Sequence, residues 1–265
     1  STMACTIVAK KMNIKVAHVE AGIRSGDMTM PEEINRIVTD SISDYFFTTS
    51  VWANENLLKY GTESEKIHFV GNVMIDTLHQ NLNRFLKPDF WDEYQLETQN
   101  YIVLTLHRPS NVDEETSLQK LLLGIDALAN DKKVIFPIHP RTKAILGEQN
   151  LNLKNIIFVD PQGYLSFMYL IKNAFAVITD SGGISEETTV LGIPCFTMRT
   201  TTERPETISI GTNNLVGISI ENLVTIYTKF LHEGLKKSGI PELWDGKASE
   251  RIINILLNNY QEMLK

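Results

Sequence analysis

The sequence has 265 residues, of which 43% are hydrophobic and 22% are charged, a composition typical of globular proteins. A chain of this length can bury two cores of moderate size, so we expect two domains. The formal net charge of −7 comes without a cluster of lysines or arginines, and no apolar run reaches the roughly 18 residues of a membrane span. We therefore expect no nucleic-acid partner, no membrane partner and a small molecule as the ligand.

The first third of the chain alternates helical patterns with short apolar runs. A helix at residues 3–11 and a long helix at about 73–86 enclose three predicted strands, which lie near residues 14–18, 44–48 and 66–70. This alternation is typical of a parallel sheet covered by helices. Because the opening helix follows no strand and three strands leave an open sheet edge, we expect the first half of this domain to be missing from the chain. The alternative is a naturally small three-stranded domain.

A second series of six strands follows a polar stretch. These strands are predicted near residues 101–106, 133–138, 155–159, 174–179, 194–198 and 214–217. Six strands make a complete doubly wound domain. The sequence thus predicts an α/β protein in which residues 1–86 form the C-terminal half of one Rossmann-like domain and residues 87–240 form a second Rossmann-like domain. Residues 241–265 form a closing helix that packs back on the first domain, through an apolar stripe of Ile252, Ile253, Leu256 and Leu257.

The two cysteines indicate a compartment rather than a reaction. Cys5 and Cys195 are far apart in sequence, lie in apolar surroundings and lack the spacing of a metal site or redox pair. We expect both thiols to be buried and structural. Their usage favours a reducing, cytoplasmic location.

The most informative segment is residues 176–187, where a β-branched strand ends in Ser181, Gly182 and Gly183 and a helix with two carboxylates begins at once. Glycines let the backbone approach an anion, and the first N–H groups of a helix point at it. Glu187 lies near two turns into that helix, within reach of ribose hydroxyls. The alternative is a simple tight turn between strand and helix.

Polar side chains follow several other predicted strands, at the sheet edge where open α/β sheets bind ligands. They belong to five segments, at residues 18–25, 30–36, 104–112, 136–141 and 198–206. The second of these begins a helix with Pro31 at its first turn. Polar groups therefore converge from several strand ends.

Together these segments resemble the non-hydrolysing UDP-N-acetylglucosamine 2-epimerases, whose two-domain fold is shared with the GT-B glycosyltransferases. The likeness runs from about Ser1 to Gly217. It includes, in the family's order, His-Val-Glu-Ala-Gly, Pro-Glu-Glu-x-Asn-Arg, His-Arg-Pro, Asp-Ser-Gly-Gly and Thr-Thr-Glu-Arg-Pro-Glu. The resemblance implies a GT-B-like fold with a cleft between two Rossmann-like domains, an isomerase, a UDP-sugar substrate and a homodimer.

Three departures accompany this resemblance. In the family a Gly-Asp pair immediately precedes the residues that match Ser1 and Thr2, and its Asp is counted among the catalytic carboxylates. The family's first strand and its loop, which contact the nucleotide sugar, are also absent from the sequence. Ser185 stands where many relatives have Gln.

The resemblance implies that UDP is eliminated across C1 and C2 of the sugar, giving 2-acetamidoglucal, and is then added back. This chemistry needs an acid/base group on each side of C2 and a cationic cradle for the diphosphate. By resemblance Glu20, Glu32 and His107 match the acid/base set. From spacing alone, Glu20 can equally be an ion-pair partner of Arg24, Glu32 a charge that complements the helix dipole, and His107 a turn histidine.

The remaining site residues are expected to bind UDP and the sugar. Ser181, Gly182 and Gly183 are interpreted as diphosphate donors, Glu187 as the ribose acceptor and Phe167 as a face for the uracil, although an aromatic residue at helical spacing is often core. Arg108 and Arg204 are expected to neutralise the diphosphate, and His139 to contact sugar or phosphate. No metal-ligand spacing and no nicotinamide-binding motif appears, so we expect neither metal nor cofactor.

The predicted function is UDP-N-acetylglucosamine 2-epimerase, which interconverts the gluco and manno sugars for cell-surface polysaccharide precursors. Three alternatives stay open: an epimerase or hydrolysing relative that acts on another UDP-2-acetamido sugar, a UDP-binding fragment without catalysis, and a glycosyltransferase of the same fold. The segments that carry Glu20 and Glu32 argue against the last of these.

Overall fold

The computed structural model describes residues 1–112, 114–146 and 151–263. The chain divides into two compact units. The first unit contains residues 1–80 together with the residues from 241 onward, and the second contains residues 81–240.

The first unit is built on a three-stranded parallel sheet in the order β1-β2-β3. The strands are β1 (Ala17–Val19), β2 (Tyr45–Thr48) and β3 (Ile67–Phe69). Its helices are α1 (Thr2–Lys11), α2 (Pro31–Ile42), α3 (Val51–Lys59), α4 (Val73–Asn81) and α12 (Ala248–Met263). A single 3₁₀ turn occurs at Ser64–Lys66, and the 3₁₀ turns at Leu82–Arg84 and Asp89–Trp91 belong to the second unit.

Residues of β2 supply the core on both faces of this sheet. Successive side chains of a strand point to opposite faces, so Phe46 packs with Ala21 and Leu57 on one face. Phe47 packs with Val70 and with Ile252 of α12 on the other face. The sheet is therefore covered by helices on both sides.

Helix α12 joins the first unit through its N-terminus and one side of its apolar stripe. The backbone N–H groups of Ala248 and Ser249 donate to the Asp76 carboxylate of α4, at 3.0 and 2.6 Å. Ile253 and Leu257 are 56% and 53% exposed, so the expectation of a packing face is wrong for these two residues. They lie on the side of the helix that points away from the sheet.

The second unit is built on a six-stranded parallel sheet in the order β6-β5-β4-β7-β8-β9. The strands are β4 (Tyr101–Thr105), β5 (Lys133–Pro137), β6 (Ile156–Val159), β7 (Ala176–Thr179), β8 (Cys195–Thr197) and β9 (Asn213–Leu215). Its helices are α5 (Pro109–Val112), α6 (Glu115–Leu128), α7 (Pro140–Leu146), α8 (Tyr164–Asn173), α9 (Gly182–Leu191), α10 (Pro205–Ser209) and α11 (Ile220–Glu233). The chain order reverses between β4 and β7, which makes their carboxyl ends the expected ligand edge.

The two cysteines differ in burial. Cys195 on β8 is buried, as predicted, whereas Cys5 on α1 is exposed, so the prediction is wrong for this thiol. Cys5 lies on an apolar face of α1 with Val8 and Met12, and no element of the described chain covers that face. Across the described ranges, no helix is long and apolar enough to cross a membrane.

Candidate active site

The loops after β4 and β7 lie side by side because these strands are neighbours in register. Thr105 pairs with Thr179 at the end of the two strands, and their hydroxyl oxygens are 2.7 Å apart. The loop after β4 carries His107 and Arg108, and the loop after β7 carries Asp180. The topology thus brings two predicted segments to one point of the sheet edge.

Asp180, in the loop after β7, links this loop to the loop after β4 through hydrogen bonds. Its buried carboxylate accepts hydrogen bonds from the backbone N–H groups of His107 and Arg108, at 3.0 and 2.9 Å, and from Asn111 Nδ2 at 3.0 Å. Burial by itself would raise the pKa of Asp180, but hydrogen bonds from His107, Asn111 and Arg108 and the charge of His107 lower it below its ordinary value. The His107 imidazole contacts this carboxylate through Nδ1, at 2.9 Å from Oδ1, and its side chain is 59% exposed.

The N-terminus of α9 is open to an anion. Ser181 is the N-cap residue, but its side chain makes no cap hydrogen bond, and Gly182 and Gly183 form the first turn. A Cβ atom on Gly182 would lie 3.4 Å from Arg199 Nη1, so a guanidinium stands directly beside this turn. Arg199 is buried and pairs with Glu203 at 2.8 Å. The sequence reasoning missed Arg199, although it belongs to the segment at residues 198–206.

The two predicted cations differ in their surroundings. Arg108 donates through Nε to the Asp180 backbone oxygen at 3.3 Å, which holds the arginine over the start of the loop after β7. Arg204 is buried at the N-terminus of α10, and its Nε donates to the Glu186 carboxylate of α9. Both arginines therefore bond to residues of the segment that carries the glycines.

Glu187 lies further along α9 and is buried. It accepts a hydrogen bond at 3.0 Å from the hydroxyl of Tyr164, the first residue of α8. Burial raises the pKa of Glu187 to about 7, and the Tyr164 hydrogen bond opposes that shift. Phe167 follows Tyr164 by three residues, which places both on one side of α8. Tyr164 was another residue that the sequence reasoning did not select.

His139 occupies the same sheet edge one strand further out. It lies two residues after the end of β5, the neighbour of β4, and its side chain is exposed. The second unit thus contains His107, Arg108, His139, Phe167, Ser181, Gly182, Gly183, Glu187 and Arg204.

The two predicted catalytic carboxylates come together in the first unit. Glu20, just after β1, and Glu32, in the first turn of α2, line a cavity of about 300 Å³. His18 and Arg36 line the same cavity, and neither was selected from the sequence. Arg24 pairs with Asp40 at 2.6 Å.

The loop after β1, beside this cavity, is fixed by hydrogen bonds and contains a strained residue. Asp40 accepts from His18 Nδ1 at 2.6 Å and from the Gly22 N–H at 3.2 Å, which fixes the histidine and the loop after β1. Glu20 has φ of 64°, a left-handed conformation that a residue with a Cβ adopts only against strain. Strained residues of this kind are often found at functional sites, although five other non-glycine residues of the described chain also have positive φ.

Each unit offers proton carriers or hydrogen-bond donors. Within the part of the chain that the structure describes, no group of three His, Cys, Asp or Glu side chains could hold a metal ion. The first unit presents two carboxylates beside a cavity. The second presents a glycine turn, arginines and a histidine, a set suited to a phosphorylated ligand.

Comparison with known proteins agrees with this chemistry. The family model described as UDP-N-acetylglucosamine 2-epimerase matches residues 1–257. A UDP-N-acetylglucosamine 2-epimerase of Methanocaldococcus jannaschii is 43% identical, over 97% of this chain and 72% of the relative. A UDP-2,3-diacetamido-2,3-dideoxy-D-glucuronate 2-epimerase of Pseudomonas aeruginosa is 37% identical, over 97% of this chain and 72% of the relative.

The solved structures give the same result. The crystal structure of the M. jannaschii UDP-GlcNAc 2-epimerase in complex with UDP-GlcNAc and UDP matches with a TM-score of 0.83 at 43% identity. The match covers 97% of this chain and 73% of that one. The predicted GT-B-like fold class is confirmed by this likeness and by the two parallel sheets. The chain belongs to the UDP-N-acetylglucosamine 2-epimerase family.

Proposed function

We propose that this protein is an isomerase that inverts C2 of the sugar in UDP-N-acetylglucosamine and so interconverts it with UDP-N-acetylmannosamine. The observation that carries the proposal is the 43% identity to an epimerase whose crystal structure holds UDP-GlcNAc and UDP. The glycine turn at the start of α9 and the carboxylates of the first unit supply chemistry of the kind this reaction needs.

The C2 proton of the sugar is not activated by an adjacent carbonyl, so its direct removal is too difficult. In the proposed reaction a base takes the C2 proton while the bond between C1 and the UDP oxygen breaks. The electron pair of the C2–H bond forms the double bond of 2-acetamidoglucal, and UDP leaves with the electrons of the C1–O bond. Re-addition of UDP to C1 and return of a proton to the other face of C2 complete the inversion.

Inversion requires proton carriers on both faces of C2, and Glu20 and Glu32 are our candidates. Both line one cavity, and they come from different elements, the loop after β1 and the first turn of α2. A positioned acid or base of this kind typically contributes about 10²–10⁴ in rate. We assign the strain at Glu20 to the need to hold its carboxylate in one place.

The leaving diphosphate needs more than the partial charge of a helix N-terminus. We assign its oxygens to the N–H groups of Ser181, Gly182 and Gly183, with Arg108 and Arg204 as the cations. Arg199 lies beside Gly182 and adds a third guanidinium near this turn. His107 completes the acid/base set from the loop after β4.

The nucleoside is assigned to the side of the sheet edge where α8 meets α9. Glu187 is the proposed acceptor for ribose hydroxyls, and Phe167 is the proposed stacking face for the uracil. The hydrogen bond from Tyr164 to Glu187 supports this location, because it ties the start of α8 to the carboxylate. His139 is assigned to sugar or phosphate contacts.

A second candidate substrate is a UDP-2,3-diacetamido uronic acid. The 37% identity to a P. aeruginosa epimerase named for that sugar supports it. The residues assigned above address UDP and C2, which both substrates share. Proton NMR of each sugar nucleotide incubated with the protein tests the choice, since the manno-type epimer has its own anomeric signal. We expect conversion of UDP-N-acetylglucosamine, and conversion of the uronic acid alone would transfer the assignment to it.

We further propose a cytoplasmic homodimer that supplies precursors of cell-surface polysaccharides. The free thiol of Cys5 suits a reducing compartment, and the family resemblance implies the dimer. Analytical ultracentrifugation of the purified chain tests the oligomeric state. A species of twice the chain mass is expected, and a monomer at all concentrations would contradict the dimer.

A further inference from the structure

The contacts of Asp180 are distributed unequally between its two carboxylate oxygens. Oδ2 accepts from the backbone N–H groups of His107 and Arg108 and from Asn111 Nδ2, at 3.0, 2.9 and 3.0 Å. Oδ1 lies 2.9 Å from His107 Nδ1 and has only a longer contact, of 3.2 Å, with the His107 backbone N–H. One oxygen is thus saturated by the loop, and the other is directed at the imidazole.

This arrangement determines which ring nitrogen of His107 carries a proton. Asp180 is fully buried and its pKa lies below the ordinary value, so the carboxylate is ionised and can only accept. His107 Nδ1 must therefore carry the hydrogen that it donates to Oδ1. The nitrogen left to exchange a proton with a ligand is Nε2, on a side chain that is 59% exposed.

We propose that Asp180 is the positioning residue for His107: it holds Nδ1–H so that Nε2 faces the reacting sugar nucleotide. The role of His107 in turnover rests on the proposed function, but the orientation of its ring rests only on the contacts of Asp180. Asp180 directly precedes Ser181, so the residue that orients the imidazole adjoins the glycine turn in the chain. Among the described contacts of this pair, Arg108, from the loop of His107 itself, supplies the neighbouring charge.

The substitution Asp180→Asn should change the tautomer of His107, which a purely structural role of Asp180 would leave unchanged. Three donors hold the Oδ2 position, so the amide oxygen of the new side chain takes that place. Its NH₂ group then occupies the Oδ1 position and donates to His107 Nδ1. The imidazole proton is forced onto Nε2, which is the wrong tautomer for a base at that atom.

Asn111→Ala is the matched control. It removes one donor to Asp180 Oδ2 and a hydrogen bond of 3.2 Å to the Met198 backbone oxygen, while the contact between Asp180 and His107 stays. If Asp180 only fastens the two loops together, both substitutions should have similar effects. If it positions the imidazole, only Asp180→Asn should change the tautomer.

The experiment is a two-bond ¹H–¹⁵N correlation spectrum of the full chain with ¹⁵N-labelled histidine, with the His107 signals assigned from a His107→Asn sample. We expect the neutral ring to be protonated at Nδ1 in the wild type and in Asn111→Ala, and at Nε2 in Asp180→Asn. Exchange at C2 of UDP-N-acetylglucosamine should fall about 10²–10⁴-fold in Asp180→Asn, with the Kd for UDP changed less than about threefold.

A wild-type spectrum in which the neutral His107 ring carries its proton on Nε2 would overturn the proposal. This measurement does not depend on the folding of any variant. An unchanged tautomer in Asp180→Asn, or equal losses of exchange in Asp180→Asn and Asn111→Ala, would also overturn it. The tautomer is read without substrate, so it still decides the orientation of His107 if the wild-type chain fails to act on UDP-N-acetylglucosamine. That failure would count against the proposed function alone.

Discussion

The backbone conformation at Glu20 favours glycine, whereas the proposed role of this residue requires a carboxylate. A residue with φ of 64° is strained unless it is glycine, yet a glutamate occupies this place beside the cavity. We predict that Glu20→Gly raises the free energy of unfolding by about 1 kcal/mol and abolishes exchange at C2. Urea denaturation and deuterium exchange by NMR measure the two effects.

Glu32→Gln is the control for this prediction, because Glu32 lies in the first turn of α2 without backbone strain. The Glu32→Gln variant should also lose exchange at C2, but its free energy of unfolding should fall by about 0.3–1 kcal/mol because the helix dipole loses a favourable charge. A Glu20→Gly protein that is less stable than the wild type would show that Glu20 is not strained, and one that retains exchange would show that its carboxylate is not needed.

Glu187 carries a pH dependence whose sign follows from its pKa. Burial raises this pKa from 4.5 to about 7, so the folded state holds a proton that the unfolded state has lost between those values. The stability that this proton contributes is complete below pH 4.5 and is lost as the pH rises through about 7. Ionisation of Glu187, which its proposed role as acceptor of ribose hydroxyls requires, therefore lowers the free energy of unfolding.

We predict that Glu187→Gln gains about 2–3 kcal/mol relative to the wild type on going from pH 5 to pH 8, since the amide does not ionise. The same variant should bind UDP about tenfold more weakly at pH 8, as expected for one lost hydrogen bond to a charged group. Urea denaturation at the two pH values and calorimetric titration with UDP provide the measurements. An equal stability difference at pH 5 and pH 8 would show that Glu187 does not titrate in this range.

Sequence reasoning finds residues whose chemistry is carried by their own segment, and it misses those whose role depends on a distant partner. Glu20 and Glu32 are candidates because their motifs resemble those of the family, and both line one cavity. Tyr164 acquires its role from a hydrogen bond to Glu187, 23 positions away. Asp180 was visible in the sequence as the residue before Ser181, but its contact with the loop of His107 spans 73 positions and appears only once β4 and β7 are paired.

At the scale of elements, the loop after β1 is fixed by how closely it approaches α3. Gly22 and Gly26 both have φ of 76°, but a Cβ on Gly22 would lie 2.3 Å from the Ala53 backbone oxygen, whereas nothing lies within 4 Å of one on Gly26. We predict that Gly22→Ala costs more than about 3 kcal/mol, from strain and overlap together, and Gly26→Ala only about 1 kcal/mol, from strain. Thermal and urea denaturation of the pair test this. Equal losses would mean that the loop can move away from α3.

The predicted strands all appear among the described residues, because short apolar runs between helical patterns are a strong signal. The limits were less accurate. The first strand was expected at residues 14–18 but pairs over Ala17–Val19. The Val16 N–H donates to the Asp44 carboxylate at 2.8 Å, while the Val16 carbonyl still accepts from the Tyr45 N–H at 3.1 Å.

The long helix expected at residues 73–86 likewise ends early. Helix α4 stops at Asn81, and a 3₁₀ turn over Leu82–Arg84 follows. Arg84 donates to the Asn81 side chain at 2.9 Å, which stabilises this tighter turn. Side-chain hydrogen bonds of this kind decide where an element ends, and hydrophobic periodicity does not report them.

At the scale of the whole molecule, the proposed roles fall in different units. The candidate carboxylates lie in the first unit, and the candidate UDP ligands lie in the second. We predict that Glu20→Gln and Glu32→Gln each reduce exchange at C2 by about 10²–10⁴ while the Kd for UDP stays within about twofold. Calorimetric titration with UDP, beside the exchange assay, separates binding from chemistry. A large loss of UDP affinity in either variant would place that carboxylate in the nucleotide site.

The proposed activity requires this protein to break and re-form the bond between C2 and its proton in UDP-N-acetylglucosamine. The most direct test is proton NMR of the chain with saturating UDP-N-acetylglucosamine in D₂O, following the C2 proton and the manno epimer. We predict that deuterium enters C2 and that UDP-N-acetylmannosamine accumulates. A C2 signal that stays unchanged, with UDP still bound, would contradict the epimerase assignment and leave a UDP-binding protein.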